Sequence, residues 1–163
     1  MDKFGISAAI SFAVFLALSS ASPIQIQAGF ELIGTVEGKI FVMPIVGPGS
    51  DNMTYQEAIS KCQSAGYRIA TLESPAQNEI VQEIAWRWSW IDGIDLLIPD
   101  VFFSINTGKN LTYTNWTVWG QRPVIGKDDR NCVRISCNSF DCGWWDVNCN
   151  DKYSVICELP VGI

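Results

Sequence analysis

Residues 131–149 read NCVRISCNSFDCGWWDVNC, and they form the part of the chain that is richest in cysteine and tryptophan. It holds four of the six cysteines of the chain and two adjacent tryptophans, Trp144 and Trp145. The remaining cysteines are Cys62 and Cys157. Cysteines and tryptophans at this density indicate a loop-rich structure that disulfide bonds and large aromatic side chains hold together.

Residues 1–21 have the composition of a secretory signal peptide. An apolar stretch over residues 4–18 is followed by small residues up to Ser22, so we expect cleavage after Ala21. A membrane anchor is the alternative, but about 15 apolar residues are fewer than the roughly 20 that spanning a bilayer needs. We therefore expect a secreted, extracellular protein whose cysteines form disulfide bonds, because exported proteins meet an oxidising environment.

The charge and the residue types of the chain argue against several classes of function. Seventeen acidic and eleven basic residues give a net charge of -6 without a basic stripe, so nucleic acid is not an expected partner. The chain contains no histidine, which removes the usual zinc patterns and the usual general base of a serine or cysteine nucleophile. We therefore predict no catalytic residues and no enzyme, and past the signal peptide no run of residues is apolar enough to span a membrane.

Local patterns before residue 90 predict short strands and two helices. A capping box that starts at Thr54 predicts the first helix, with Cys62 on its inward face and Gly66 at its end. Ser74 is the expected cap of a second helix that runs to about Ala85. The predicted strands lie at residues 31–36, 39–43 and 67–72, and Glu37-Gly38 is expected to form a tight turn that joins the first two in a hairpin.

The ordered motifs between Lys39 and Glu158 resemble those of a secreted C-type lectin-like domain. Trp90-Ile91-Asp92-Gly93 is similar to the Trp-Ile-Gly-Leu motif of that family, and residues 111–116 resemble its strand that ends in Asn-Trp. The first helix and the three cysteine segments complete the set, at residues 131–135, 143–149 and 155–158. The resemblance implies an α+β fold in which two helices flank small antiparallel sheets and a long, disulfide-bonded loop region.

The resemblance also implies a domain organisation and a disulfide pattern. Residues 22–38 form an N-terminal lead and first strand, and residues 39–159 form the lectin-like domain. Six cysteines allow 15 pairings. The family pattern pairs Cys62 with Cys157 and Cys132 with Cys149, and this leaves an additional bond between Cys137 and Cys142.

Family members that bind sugar hold one calcium ion with three motifs: a Glu-Pro-Asn or Gln-Pro-Asp triplet, a glutamate shortly before the Cys-Val strand, and the Asn-Asp of Trp-Asn-Asp. Alignment on the proline of the triplet puts Arg122 and Val124 at its two outer positions. Arg130 replaces the glutamate, and Trp145 replaces the asparagine. Asp146 is the one side-chain ligand that remains in register.

One carboxylate is a poor match for calcium, which prefers roughly six to eight oxygen ligands, and two guanidinium groups would repel the ion. We therefore expect no metal and no other cofactor at this position. A shifted register would restore Gln121, Asp128 or Asp129 as ligands beside Asp146. A calcium site built from those residues is one alternative, and a second calcium site in the long loop is another.

The candidate ligand-binding residues are Arg122, Arg130, Trp145 and Asp146. Guanidinium and indole groups stack on the face of a pyranose ring or bind an acidic group without a metal. In the alternative interpretation, Arg130 pairs with Asp128 or Asp146 and replaces the ion as a structural clamp.

Three further side chains have structural interpretations. Trp144 matches the core tryptophan of the family, so we expect it to be buried. Asp92 and Asp95 follow Trp90 in a turn-rich segment, and we expect them to cap a turn or to lie on a solvated face.

Three Asn-x-Ser/Thr sequons make asparagine-linked glycosylation possible in a secreted protein, at Asn52, Asn110 and Asn115. Asn115 precedes Trp116, which is an expected core residue at the end of a strand. We therefore expect glycans at Asn52 and Asn110 before Asn115.

The resemblance implies a secreted, lectin-like protein that acts in innate recognition and binds carbohydrate weakly or without calcium. The partners would be glycans or the surface of a glycoprotein. One alternative is a protein-binding C-type lectin-like module, and a second is an ordinary calcium-dependent lectin with misaligned ligands. No heptad repeat or collagen stalk predicts an oligomer.

Overall fold

The structure is a computed structural model that describes residues 24–45, 52–85, 87–95, 101–118, 131–138 and 141–160. The predicted signal peptide lies outside these residues. The described residues form two helices and eight short strands. In chain order these are β1 (Phe30–Val36), β2 (Lys39–Pro44), α1 (Tyr55–Ser64), β3 (Arg68–Ile69), α2 (Pro75–Gln82), β4 (Ser89–Ile94), β5 (Cys132–Cys137), β6 (Cys142–Val147), β7 (Ser154–Val155) and β8 (Cys157–Glu158).

The strands form two four-stranded sheets. The first sheet has the strand order β1-β2-β8-β3, and all its pairs are antiparallel. The second sheet has the order β6-β5-β4-β7, in which only β4 and β7 run parallel. One hydrophobic cluster includes Cys62 of α1 and Trp90, and a second includes Val81 of α2 and Trp144. The predicted α+β fold is confirmed.

Strands β1 and β2 form the predicted hairpin. Its turn consists of Glu37 and Gly38, whose φ angles are 51° and 77°. Two successive positive φ angles give the turn a twist that matches the twist of the flanking strands. Glycine adopts this conformation without a steric penalty, which explains its place in the turn.

Helix α1 begins and ends where the sequence predicts. The Thr54 hydroxyl accepts a hydrogen bond from the Glu57 amide at 3.4 Å, and a Glu57 carboxylate oxygen accepts from the Thr54 amide at 2.8 Å. This reciprocal pair satisfies two amides that have no partner within the helix. Gly66 follows the helix with a φ of 77°, and Cys62 is fully buried.

Two predicted elements are shorter in the structure. The strand predicted at residues 67–72 is reduced to Arg68–Ile69, because its partner β8 is itself only two residues long. The second helix ends at Gln82 and not at Ala85. The Ala85 amide donates to the carbonyl of Gln82, three residues back, so the chain tightens into a turn there.

The structure contains all three disulfide bonds that the family resemblance implies. Cys62–Cys157 joins α1 to β8 across 95 positions of sequence. Cys132–Cys149 joins the start of β5 to the segment after β6. Cys137–Cys142 joins the other ends of β5 and β6. The two shorter bonds therefore tie one hairpin of the second sheet at both ends.

A buried ion-pair network connects three strands of the first sheet. The carboxylate of Glu158 is fully buried and lies 2.6 Å from Nε of Arg68 and 3.3 Å from Nζ of Lys39. Lys39 also contacts the half-exposed Glu73 at 2.7 Å and donates to the Thr71 carbonyl at 2.7 Å. Burial raises the pKa of the Glu158 carboxyl, and the two neighbouring cations offset part of this rise.

Candidate functional site

The second sheet brings the described candidate residues together, but on opposite faces. Strands β5 and β6 pair Val133 with Asp146, Arg134 with Trp145, and Ile135 with Trp144. Because successive side chains of a strand point to opposite faces, Trp144 and Asp146 share one face. Trp145 lies on the other face. We call the face of Trp144 the inner face and the face of Trp145 the outer face.

The inner face belongs to the core. Trp144 is fully buried, and its indole nitrogen donates to Oδ1 of Asn78 at 2.7 Å. The rings of Tyr113 and Trp116 each lie 5.8 Å from the ring of Trp144 in edge-to-face contact. The prediction that Trp144 is a core residue is confirmed, and Trp116 packs against it while remaining partly exposed.

The outer face holds an arginine among three aromatic rings. Cζ of Arg134 lies 4.2 Å from the ring centroid of Trp88, 5.1 Å from that of Tyr153 and 5.3 Å from that of Trp145. We call these four residues the arginine cluster. Aromatic faces attract a guanidinium group through their quadrupole, and the attraction strengthens when the cation is shielded from water. Arg134 is only 7% exposed.

Hydrogen bonds extend the arginine cluster to an exposed carboxylate. Arg134 is hydrogen-bonded to the side chain of Tyr153. The Tyr153 hydroxyl in turn donates to Oδ2 of Asp151 at 3.2 Å. Burial lowers the pKa of Arg134 and raises the pKa of Tyr153. Arginine stays charged in proteins near neutral pH, so the cluster contains a buried positive charge.

A family model described as the Lectin C-type domain matches residues 51–159. The chain belongs to the C-type lectin domain family. The match covers both helices and the whole second sheet, including Trp145 and Asp146.

Solved structures share this C-type lectin fold at low sequence identity. The calcium-independent type II antifreeze protein is 20% identical with a TM-score of 0.62, over 83% of this chain and 94% of that chain. The lectin CEL-I from Cucumaria echinata is 16% identical with a TM-score of 0.65, over 85% and 100%. Murine dendritic cell inhibitory receptor 2 in complex with N-glycan is 18% identical with a TM-score of 0.63, over 80% and 95%. Identities this low show the shared fold only.

Trp145 and Asp146 are the described residues that align with the sugar-coordinating calcium position of C-type lectin domains. Trp145 has no oxygen in its side chain, and it packs on Arg134 on the outer face. Asp146 lies on the inner face and is 2% exposed. Calcium needs roughly six to eight oxygens, and these two side chains supply one carboxylate. Within the described ranges, no group of three or more histidine, cysteine or acidic residues could hold a metal.

The remaining candidates of this C-type lectin domain lie outside the described residues. These are Arg122 and Arg130 of the ligand-binding set, and Asp128 and Asp129 of the metal set, together with Gln121. Among the sequons, Asn52 and Asn110 are exposed and Asn115 is half-buried, so the predicted order of glycosylation agrees with their accessibility. In the part of the chain that the structure describes, no helix has the length and apolar character to cross a membrane.

The expectation that Asp92 and Asp95 lie on a solvated face is wrong. Asp92 is 1% exposed and Asp95 is 7% exposed. The Asp92 carboxylate accepts hydrogen bonds from the Thr71 hydroxyl and the Ile105 amide, both at 2.8 Å. The Ile105 amide belongs to a turn 13 residues later in the chain, so Asp92 does cap a turn, but one that only the tertiary structure brings to it.

Replacing Asp92 with asparagine is expected to change how stability depends on pH. Burial raises the pKa of this carboxyl above its ordinary value of 3.8, despite hydrogen bonds that lower it. The folded protein therefore binds the proton more tightly than the unfolded chain, and the wild-type free energy of unfolding falls as pH rises from 3.8 through the raised pKa. The loss is about 1.4 kcal/mol for each unit of pKa difference.

Asparagine does not titrate. The free energy of unfolding of the wild type, measured relative to that of Asp92→Asn, should therefore fall as pH rises. Urea unfolding of both proteins at several values between pH 4 and 7 measures this difference. Parallel pH curves for the two proteins would contradict the prediction.

Sequence reasoning did not select Arg134, Trp88 or Tyr153 as site residues. The alternation of strand β5 contained a partial signal, because Arg134 stands between two apolar residues and must face away from them. Nothing in the sequence indicates that Trp88 and Tyr153 meet it, since 46 and 19 positions separate them from Arg134.

Proposed function

We propose that the protein is a secreted recognition protein that binds glycans without depending on calcium. Membership of the C-type lectin domain family supports recognition of a ligand, and structural relatives with this fold include carbohydrate-recognition domains. The predicted signal peptide and the three disulfide bonds support secretion.

The observation that carries calcium independence is the placement of Trp145. Its position aligns with the asparagine of the Trp-Asn-Asp motif, and its indole lies against Arg134, on the opposite face of the sheet from Asp146. The aligned positions 122 and 130 also carry arginines in place of the oxygen ligands. A doubly charged cation would meet positive charges there and too few oxygens to replace its water shell.

The test is glycan binding with and without calcium. The full chain is expressed with its signal peptide in a eukaryotic secretory host, and the protein is purified from the medium. Its N-terminal residue is expected to be Ser22. We expect a glycan array to show the same bound glycans in calcium chloride and in EGTA.

Thermal unfolding gives an independent measurement of the calcium prediction. A ligand that binds only the folded state stabilises it by about 2.7 kcal/mol at a hundredfold excess over its Kd. We therefore expect the same melting temperature in excess calcium chloride and in EGTA, and no saturable heat when the protein is titrated with calcium.

Two outcomes would overturn the proposal. Glycan binding that EGTA abolishes, together with a rise of the melting temperature in calcium, would identify an ordinary calcium-dependent lectin that uses residues such as Asp128 and Asp129. Absence of glycan binding, with capture of a protein partner that survives both EGTA and enzymatic deglycosylation, would identify a protein-binding module.

A further inference from the structure

We propose that Trp88 is a stacking platform for a neutral hexopyranose, on the outer face of the second sheet and apart from the position of Asp146. This inference rests on the proposed glycan recognition and assigns it to a specific surface. The surface consists of Trp88, Tyr153 and Asp151, with Arg134 beneath them.

The indole of Trp88 is both exposed and held in place. Trp88 is 51% exposed, although it is a large apolar residue. Arg134 lies over the ring at 4.2 Å, and the ring of Tyr153 meets it edge-to-face at 5.8 Å. The Trp88 carbonyl also accepts a hydrogen bond from the Ser154 amide at 3.1 Å. Because Arg134 covers one face of the ring, the exposed area belongs to the opposite face and its edge.

A rigid, exposed indole is suited to a pyranose ring. The axial C–H bonds of a hexopyranose form an apolar patch that packs flat on an aromatic face, while its hydroxyl groups point outward around the ring. Large side chains that bury area at a low entropy cost dominate many binding sites, and tryptophan is foremost among them. Contacts with Arg134 and Tyr153 already restrict Trp88 in the free protein, so binding loses less conformational entropy.

The polar rim of the surface fits hydroxyl groups better than an anion. Asp151 is exposed and touches the Tyr153 hydroxyl, so its carboxylate lies at the edge of the aromatic group. A carboxylate accepts hydrogen bonds from two neighbouring sugar hydroxyls, but it repels a uronic or sialic acid. Nε and Nη1 of the Arg134 guanidinium are inaccessible to solvent, so these two nitrogens do not offer an acidic sugar a direct partner.

The sheet separates this surface from Asp146, the one side-chain calcium ligand of the family that remains in register. Asp146 lies on the inner face, and the Trp88 platform lies on the outer face. Binding at Trp88 would therefore need neither calcium nor Asp146. This separation makes the location of binding testable apart from the existence of binding.

The experiment uses the purified full-length secreted protein in EGTA, with cellohexaose, mannohexaose and chitohexaose as neutral probes and hexagalacturonic acid as the acidic probe. The indole N–H signals of the tryptophans are recorded by ¹⁵N NMR, and the signal of Trp88 is assigned from its absence in Trp88→Phe. We expect at least one neutral probe to shift the Trp88 signal most strongly, and we expect no shift with the acidic probe.

Three variants locate the site. We expect Trp88→Ala to weaken binding of that neutral probe by about tenfold or more, as removal of a central tryptophan does at other binding sites. Trp88→Phe keeps a smaller ring on Arg134 and should weaken binding by a smaller factor. Leu32→Ala removes an apolar side chain of similar exposure from β1, at 55%, and should leave binding unchanged.

The outcomes separate this inference from the proposed function. A neutral probe that binds in EGTA, but with unchanged affinity for Trp88→Phe and with its largest shifts at other tryptophans, overturns the Trp88 platform and leaves calcium-independent recognition intact. If no probe binds wild-type protein in EGTA, the Trp88 platform is overturned, and the glycan array shows whether calcium-independent recognition is overturned with it. If Trp88→Ala does not fold, the NMR shifts of the wild-type protein and the affinity of Trp88→Phe test the Trp88 platform in its place. Shifts at Trp88 with the acidic probe alone overturn the choice of a neutral sugar.

Discussion

Replacing both Cys62 and Cys157 with alanine is expected to lower the free energy of unfolding by about 4–5 kcal/mol. The bond between them closes a loop across 95 positions, so without it the unfolded chain gains far more conformational freedom than the folded chain does. Both cysteines are fully buried, and their bond joins α1 to strand β8 of the first sheet. Urea unfolding of the wild type and the double variant measures the effect.

The matched control is the double variant Cys137→Ala/Cys142→Ala. This bond closes a loop across only five positions, and the same entropy model assigns it about 2 kcal/mol. We therefore expect the first double variant to lose about twice as much stability as the second. Equal losses, or a larger loss for the short loop, would show that loop entropy does not set the contribution of these bonds.

Replacing Lys39 with methionine is expected to destabilise the fold by about 3–5 kcal/mol at pH 7. The substitution removes one of the two cations that face the fully buried carboxylate of Glu158. A buried charge that loses a partner pays its desolvation cost without the compensating attraction. Denaturant unfolding at pH 7 measures the loss.

Glu73→Gln is the control for this second prediction. Glu73 contacts the same Lys39 Nζ at 2.7 Å, but its side chain is half-exposed, so water replaces the lost interaction. We expect a loss of about 1 kcal/mol or less. The loss of stability that Lys39→Met causes should also shrink toward acidic pH, because protonation of Glu158 removes the uncompensated charge. A deficit that is small, or independent of pH, would contradict the role assigned to Lys39.

Local spacing predicted those parts of the fold whose cause is local. The hairpin at Glu37 and Gly38 and the start of α1 at Thr54 depend on residues within four positions of one another, and both lie where the sequence predicts. The second helix began as predicted at Ser74 but ended early, since a tighter turn of the backbone replaced its last residues. The disulfide pairing could be predicted only from the family resemblance, because spacing alone leaves 15 pairings open.

The candidate site was predictable only in part. The motif alignment selected Trp145 and Asp146, and the alternation of side chains in β6 then placed them on opposite faces of the sheet. Asp92 was expected to cap a turn or to lie on a solvated face; it is buried, and it caps a turn by accepting a hydrogen bond from the Ile105 amide. No pattern in the sequence pointed to Trp88 as a partner of Arg134.

The family, the hairpin and the helix caps could be predicted from the sequence, and so could a side chain without oxygen at position 145. The tertiary structure alone decided that Arg134 lies among three aromatic rings, that Asp92 is buried, and that Trp88 presents one exposed face. The physical reason is that caps and turns are set by bonds between near neighbours along the chain. Burial and side-chain environment depend on which distant strands pair and in which register.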